Sequence, residues 1–496
     1  MIQDTQIVLP FARLAGKHLQ GDFNGGPLTS DGGVVFLRET EAQVGVIRRF
    51  VEVLDDRRDP RYPDHSYEEM LRQRIFQLAC GYDDANDCNS LRHDPAFKVA
   101  CERWPIVGEA LARQPTMSRL EHAPRRSELY RMAQALLETL VASYERVPKA
   151  MVLAIEDTAD EVHGAQQQAL FNGYSDAYCY LPLHLYAGQS GKLITSLLRP
   201  GRRPLGAEIV SILKRVVGTL RRAWPEVWRL LRGDRHCSTP EVHQWCESQE
   251  PVGYYIWGQS GNVVWKRNAA GLLDQVRSLY QYKQARAYRK QEKEHCKQYK
   301  SHSKKETSPS QSRYHERPRA LLKAKLYTTF FYQADSWSIP HRIISKAEVS
   351  DEGENLRWVG TNLETPRNQW IYETIYGGRG HMETDIKDHK LFLHSDRTSC
   401  HKFEANQFRV FLHSAAYVLM HTLRITGLRG TTWAHAQCDQ IQMRLLKVGT
   451  RVEELKTQVK LHFPSAFPLK AIYKTVLVHL SHTAWCRAPS VMRCLV

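Results

Sequence analysis

The sequence predicts a mixed α/β protein, with helices packed on a mixed sheet, a mainly helical region ahead of that sheet and a β-rich insertion within it. Three observations predict this. Met151-Val-Leu-Ala-Ile155 is a continuous apolar run of strand length that ends at once in Glu156-Asp157-Thr158, as a buried strand ends at a polar site. Strand candidates then come first, followed by an alternation of helix, strand, helix and strand, which is the order of a mixed sheet covered by helices. Ahead of Met151, apolar residues recur at helical spacing instead.

Taken in order, residues 1–145 read as a mainly helical domain that binds a partner, after a short extended start. Gly25-Gly26-Pro27 and Asp31-Gly32-Gly33 are turns, and Val34 to Phe50, Tyr67 to Cys80 and Arg126 to Glu145 are helical stretches. Residues 146–262 read as the first part of the core that holds the mixed sheet. Its expected strands are Met151 to Ile155, Tyr178 to Tyr186, Leu193 to Leu198, Val227 to Leu231 and Tyr254 to Trp257. A basic turn, Arg199-Pro-Gly-Arg-Arg203, precedes an amphipathic helix from Gly206 to Arg222, and Thr239-Pro240-Glu241 has the order of an N-cap and first-turn proline. Residues 263–362 read as an insertion that crosses back into the sheet. It has a basic helix to about Lys300, a polar loop from Ser301 to Ser310, and strands at Lys325 to Tyr332, Arg342 to Val349 and Leu356 to Thr361. Residues 363–430 complete the core, with a turn at Gly377-Gly-Arg-Gly380, a helix from His381 to Lys390 and a longer one from Phe403 to Leu423. Residues 431–496 are a C-terminal region.

Composition bounds the function. With 496 residues, 42% hydrophobic and 25% charged, and a mean hydropathy of −0.48, the chain sits in the globular class. No run of eighteen apolar residues is present, and Met1-Ile-Gln-Asp-Thr lacks the basic start and apolar core of a signal peptide, so a cytoplasmic protein without a membrane span is expected. Eleven cysteines without one C-x-x-C pair read as reduced thiols. The net charge of +16 points to a polyanion, and much of it is local: Lys283 to Lys325 holds fourteen Lys and Arg against four Glu. Lys290, Lys293 and Lys297 in that stretch are expected on DNA, as an arm that clamps duplex backbone. Tyr282, Tyr288, Tyr299 and Tyr314 lie among these cations.

Carboxylates mark the chemistry. Asp157, with Glu156 and Asp160 beside it, and Asp234 stand at strand ends, and Glu383 lies on a helix between Arg379 and Lys387. Acids at the carboxyl ends of sheet strands can converge with one from a packed helix to hold Mg²⁺, or Mn²⁺ in its place, and two such ions about 4 Å apart serve phosphodiester chemistry. Any one of these acids alone reads equally as a cap, a turn residue or an ion-pair partner. His236-Cys237 with His243 and Cys246, the last two at helical i,i+3 spacing, could take zinc; placement on a helix face accounts for them equally well.

The words around these acids resemble a known family, the bacterial insertion-sequence transposases of the DDE type, group 1. The resemblance rests on Ser30-Asp-Gly-Gly-Val-Val, Leu54-Asp-Asp-Arg-Arg-Asp-Pro-Arg61, Ser90-Leu-Arg-His-Asp-Pro95 and Thr158 with His163-Gly-Ala-Gln166. It continues in Leu231-Arg-Gly-Asp234, Tyr376-Gly-Gly-Arg-Gly-His-Met-Glu383, and Ser395-Asp-Arg-Thr-Ser-Cys-His401 with Ala405-Asn-Gln-Phe-Arg409. It implies a ribonuclease H-like core, with the first acid on strand one, the second after strand four and the Glu on a later helix. A β-rich insertion falls between the second and third acids. It also implies metal-dependent cleavage at element ends and strand transfer into target DNA.

Carried over residue by residue, the resemblance makes Asp234 the second acid and Glu383 the third. Where the family reads D-x-D-x-T or D-x-D-D-T, this chain has Ala154-Ile-Glu156-Asp157-Thr158. Family register favours Glu156, while strand alternation puts Glu156 and Asp157 on opposite faces, so both are carried as catalytic and metal-holding candidates. Arg235 also departs from the small polar residue expected after the second acid. The alternative reading is therefore a transposase-derived DNA-binding protein impaired in catalysis. Arg199, Arg202, Arg203, Arg379 and Lys387 are the expected phosphate contacts near the acids. Expected partners are double-stranded DNA, as terminal inverted repeats and target, and a second copy of the chain on that DNA, at the bacterial nucleoid.

Overall fold

In the computed structural model, residues 8–61, 63–249, 253–302 and 322–482 are described, with the backbone alone for 295–302. The principal sheet has eight strands: β1 (Ala150–Asp157), β2 (Leu183–Ala187), β3 (Lys192–Leu197), β4 (Trp228–Gly233), β5 (Tyr254–Gln259), β6 (Lys323–Tyr332), β7 (His341–Ser350) and β8 (Gly353–Thr361). Their spatial order is β6-β7-β8-β5-β4-β1-β2-β3. β1 pairs antiparallel with β2 and β2 with β3, whereas β4 runs parallel to both β1 and β5. Parallel neighbours need a crossover. Helix α2 (Gly206–Ala223) carries the chain from β3 to β4, and α3 (Pro240–Glu247) carries it from β4 to β5. Glu156 and Asp157 end strand one and Asp234 follows strand four, the order in which the resemblance places its first two acids.

The insertion re-enters this sheet. β8 pairs antiparallel with β5, and β7 and β6 extend the edge beyond it. Before them runs α4 (Val263–His302), 40 residues and about 60 Å long. Its first half buries Trp265, Ala269, Leu272 and Val276 against the strands. From Gln284 to Glu294 the helix is mostly exposed. Of the expected polar loop, Ser303 to Ser310 lie outside the described residues, as does Tyr314.

One expected strand, Tyr178 to Tyr186, is two. Pro182 has no N–H to give a ladder, so Ala177–Tyr180 pairs with Asp160–Glu161 and Leu170–Asn172 in a small separate sheet, and the main sheet resumes at Leu183. The expected helix from Val34 to Phe50 is also two, Val35–Val44 and Val46–Val53, with Gly45 between them at φ 65°. Thr239 holds the extended N-cap conformation before Pro240, yet its hydroxyl makes no capping bond.

The N-terminal helices do not stand apart. Val35–Val44, Tyr67–Ala79 and α1 (Arg126–Ala142) share one core with α6 (Phe403–Thr422) and with Leu445, Tyr473 and Val476 near the other end of the chain. Asp31-Gly-Gly33 is the seam. The Gly32 N–H donates to the Val448 carbonyl at 3.0 Å, and a Cβ on Gly33 would stand 1.9 Å from the Leu445 carbonyl oxygen. Among the described residues, eight cysteines are buried without a disulfide, and no helix is long and apolar enough to cross a membrane.

Glu41 tests how the first helices are joined. Its buried carboxylate accepts the N–H groups of Val46, Ile47 and Arg48 at 3.1, 2.9 and 3.2 Å. Glu41→Ala leaves those donors without an acceptor and is expected to cost about 2–3 kcal/mol, read as a lower urea midpoint at unchanged slope. Burial, opposed by these N–H bonds and Arg72, raises the Glu41 pKa from 4.5 to about 7. Its share of stability should therefore fall as pH rises from 4.5 to 7, and Glu41→Gln should remove that dependence.

Candidate active site and metal centre

The parallel register of β1 and β4 brings the acids together. Gly233 stands beside Ile155, so the next residues, Asp234 and Glu156, end adjacent strands about 4.8 Å apart on one face. Ala154 and Arg232 are paired beneath them on that face. The opposite face, with Ile155 and Leu231, packs on α2 in an apolar layer.

Glu156 is held by Arg379. The guanidinium at the start of α5 (Arg379–Lys387) makes a two-pronged contact with the carboxylate, Nη2 to Oε1 at 2.5 Å and Nε to Oε2 at 3.2 Å. The same Nη2 lies 3.7 Å from Glu383, one turn along. Burial pushes the Glu156 pKa up, Arg379 pulls it back, and Asp234 and Glu383 raise it again. Arg379 is itself raised despite burial, chiefly by its bond to Glu156. Glu383 is 63% exposed.

Asp157 belongs to a second group. Its side chain is 5% exposed and accepts from His236 Nδ1 at 3.0 Å, and the His236 backbone N–H donates to Asp234 at 2.8 Å. Asp157, Asp234 and His236 offer ligand atoms within 4.8 Å of one another, the one such group among the described residues. The first-acid candidates thus take different neighbours: Glu156 faces Arg379 and Glu383, and Asp157 faces His236, with Asp234 between them. Hard carboxylate oxygens and one imidazole suit a divalent cation. The guanidinium on Glu156 is itself a cation resting at this site.

The histidine and cysteine of α3 are placed otherwise. His243 stacks on Tyr255 with ring centroids 5.1 Å apart and bonds Ser238 at 3.0 Å, so it is a core side chain rather than half of a zinc pair. Arg235 turns outward to Ser260 at 3.1 Å, away from the acids it follows.

The expected phosphate contacts divide. Arg199 is buried and paired with Glu208 at 2.5 Å, and Arg202 pairs with the same carboxylate at 2.6 Å. These two neutralise Glu208 at the head of α2. Arg203 is exposed and holds the loop after Asp234 through the Arg235 carbonyl at 2.8 Å. Lys387 is exposed with its ammonium over the Phe392 ring. Lys290 and Lys293 are exposed on α4; the Lys297 and Tyr299 side chains lie outside the described residues.

Three neighbours of the acids escaped the sequence reading. Lys390, seven residues past Glu383, lies 3.0 Å from Asp160 and also contacts Thr158 and the Ala159 carbonyl, so it fixes the chain leaving β1. A spacing of seven shares a helix face as four does. Tyr376 packs against Gly258, where a Cβ would meet its hydroxyl at 2.5 Å, and its raised pKa comes from burial, opposed by Arg379. Arg232 is a charged residue on a buried strand, two positions before Asp234; burial, with Arg379 adding to it, lowers its pKa to about 10. The expected turn at Gly377-Gly378 is present, but it does not reverse the chain. It sits in a nearly continuous helical path from Asn368 to Lys387, where a Cβ on Gly378 would stand 2.6 Å from Arg232 Nη1.

Two of the sequence words clasp each other behind the site. His401 bonds the Ala165 carbonyl at 2.9 Å, and Asn406 donates to Gln166 at 3.0 Å and to the Cys400 carbonyl at 2.7 Å.

The sequence matches the family described as Transposase DDE domain group 1 over residues 11–485. Among solved structures, the chain is similar to a cryo-EM structure of the piggyBac transposase synaptic complex with hairpin DNA, at 11% identity and a TM-score of 0.40, covering 84% of this chain and 80% of that one. No curated protein matches.

The Asp157–His236 pair gives a pH test. The bond to Asp157 raises the His236 pKa above 6.5, so its contribution is complete below 6.5 and is lost as pH rises through the higher folded value. His236→Ala should therefore lower the melting temperature more at pH 6 than at pH 8. The difference should be under about 1 kcal/mol because the pair is partly exposed.

Proposed function

Because the chain belongs to the transposase DDE domain group 1 family, we propose that it is a polynucleotidyl transferase that cleaves the ends of an insertion sequence and joins the freed 3′-hydroxyl to target DNA. The observation that carries this is the convergence of Glu156 and Asp234, at the ends of two adjacent strands, on the helix that bears Glu383.

Glu156, Asp157, Asp234 and Glu383 are the residues that would hold Mg²⁺ or Mn²⁺. When bound, such ions make an attacking water or 3′-hydroxyl more acidic and offset charge on the phosphate and leaving oxygen. This chain's own groups do the rest. Arg379 neutralises Glu156 until DNA arrives and is placed to exchange that carboxylate for a phosphate, since a guanidinium makes the same two-pronged bond to either. His236 orients Asp157 by bonding both of its oxygens, at 3.0 and 3.2 Å. Lys290, Lys293 and Lys297 on the long helix, with Arg203 and Lys387 near the acids, would contact backbone, which gives salt-dependent affinity without base reading. Pairing two terminal inverted repeats makes a homodimer the working state on DNA, at the bacterial nucleoid.

A second reading has its own observation. Ala154 and Glu156 stand where the family pattern has aspartates, and Glu383 lies outside the group formed by Asp157, Asp234 and His236. That favours a DNA-binding derivative impaired in cleavage.

Strand transfer of terminal-repeat DNA with Mg²⁺ or Mn²⁺ separates the two. The Asp234→Ala, Glu383→Ala double variant is expected to lose about 10³-fold or more in rate while binding DNA with unchanged salt dependence. Equal activity of this variant and the unaltered chain would defeat the assignment. Tight binding without nicking by the unaltered chain, with activity recovered in Glu156→Asp, would establish the impaired derivative.

A further inference from the structure

The face that carries the acids changes character step by step. Along β1 and β4 come the paired Val152 and Leu230, then Ala154 and Arg232, then the strand ends at Glu156 and Asp234. Arg232 is 3% exposed. Its Nη1 donates to the Ile375 carbonyl at 3.0 Å, but its Nε and Nη2 have no hydrogen-bond partner among the described residues. A buried guanidinium left two-thirds unsatisfied is costly, because each unpaired donor has given up water for nothing.

The surroundings show what is missing. A Cβ built on Gly188 would lie 2.5 Å from Arg232 Nη2 and 3.3 Å from the Ala154 methyl. The unpaired nitrogen and the methyl therefore flank one spot, and position 154 is where a short acid would meet it. On the other side, Nη1 fills the place of a Gly378 side chain at the head of α5. Arg232 is wedged between the strand that bears Asp234 and the helix that bears Glu383.

We propose that Arg232 is a positioning residue of the site: it docks the Glu383 helix on β4 and braces Glu156 from beneath, and Ala154 leaves it short of one carboxylate. This rests on the reading of Glu156, Asp234 and Glu383 as the metal-holding set. With no acid at 154, the buried charge is directed at the carboxylates one step along the face, which it helps to hold close together.

A thermal cycle tests the pairing without reference to activity. Ala154→Asp should raise the melting temperature of the full chain by about 2 °C or more and lower it in an Arg232→Met background, where the new carboxylate is buried alone. Shifts of the same sign and size in both backgrounds overturn the pairing. Arg232→Lys covers the case in which the Met variant does not fold. It keeps the charge and loses the fork, so Ala154→Asp should still stabilise it, and a loss there overturns the pairing. The positioning role predicts that folded Arg232→Lys needs about tenfold more Mn²⁺ for half-maximal calorimetric binding, with DNA affinity unchanged; an unmoved Mn²⁺ midpoint overturns it. If Asp234→Ala leaves Mn²⁺ binding intact, the reading of the metal-holding set fails, and the thermal cycle still decides the Arg232–Ala154 pairing.

Discussion

The contact between Arg379 and Glu156 is the one on which the rest of the site depends. Glu156, Asp234 and Glu383 converge on one small region, where burial disfavours the charged form of Glu156 and the charges of Asp234 and Glu383 disfavour it further. Like charges so placed need a cation. Arg379 supplies it across 2.5 Å and reaches Glu383 on its own helix, so one side chain links the first strand to the last acid. Beneath it Arg232 repeats the theme with a second buried positive charge.

Around this point the architecture divides its labour. Five strands in parallel and antiparallel order carry the acids, and three more, delivered by the insertion, widen the sheet beyond β5. The insertion also carries the exposed, basic stretch of the long helix from Gln284 to Glu294, so this basic charge and the edge that enlarges the sheet come from one segment. The helical body is made from both ends of the chain. The buried Glu121, 3.3 Å from both Arg74 and Arg409, ties the first helices to α6 across nearly 300 residues.

Much of the fold was legible in the sequence because its signals are local. The run from Met151 to Ile155, the helix from Gly206 and the strand before Asp234 all announce themselves by period and by the residues that end them. The failures have local causes too. Pro182 splits one expected strand, and the turn at Gly377-Gly378, present as read, joins two helical segments where the pair lets Arg232 and the Glu373 carbonyl come close. At the site, the acids could be named from their neighbours in the chain, but their partners could not. Arg199 looks like a phosphate contact until Glu208, nine residues on, is found against it. Lys387 shares the spacing that suggests partnership with Glu383, while Lys390 is the lysine that reaches the end of β1.

By itself the sequence determined the main alternation of strands and helices in the core, the strand-end placement of Asp157 and Asp234, the basic stretch and the family, because each is written in residues a few positions apart. Only the tertiary structure decided which cation faces which acid. Glu156 meets Arg379 from 223 residues away, and Asp157 meets His236 from 79. Those meetings depend on the register of β1 against β4 and on the direction in which the Glu383 helix lands on the sheet. Both are set by long-range packing, which local sequence pattern does not encode.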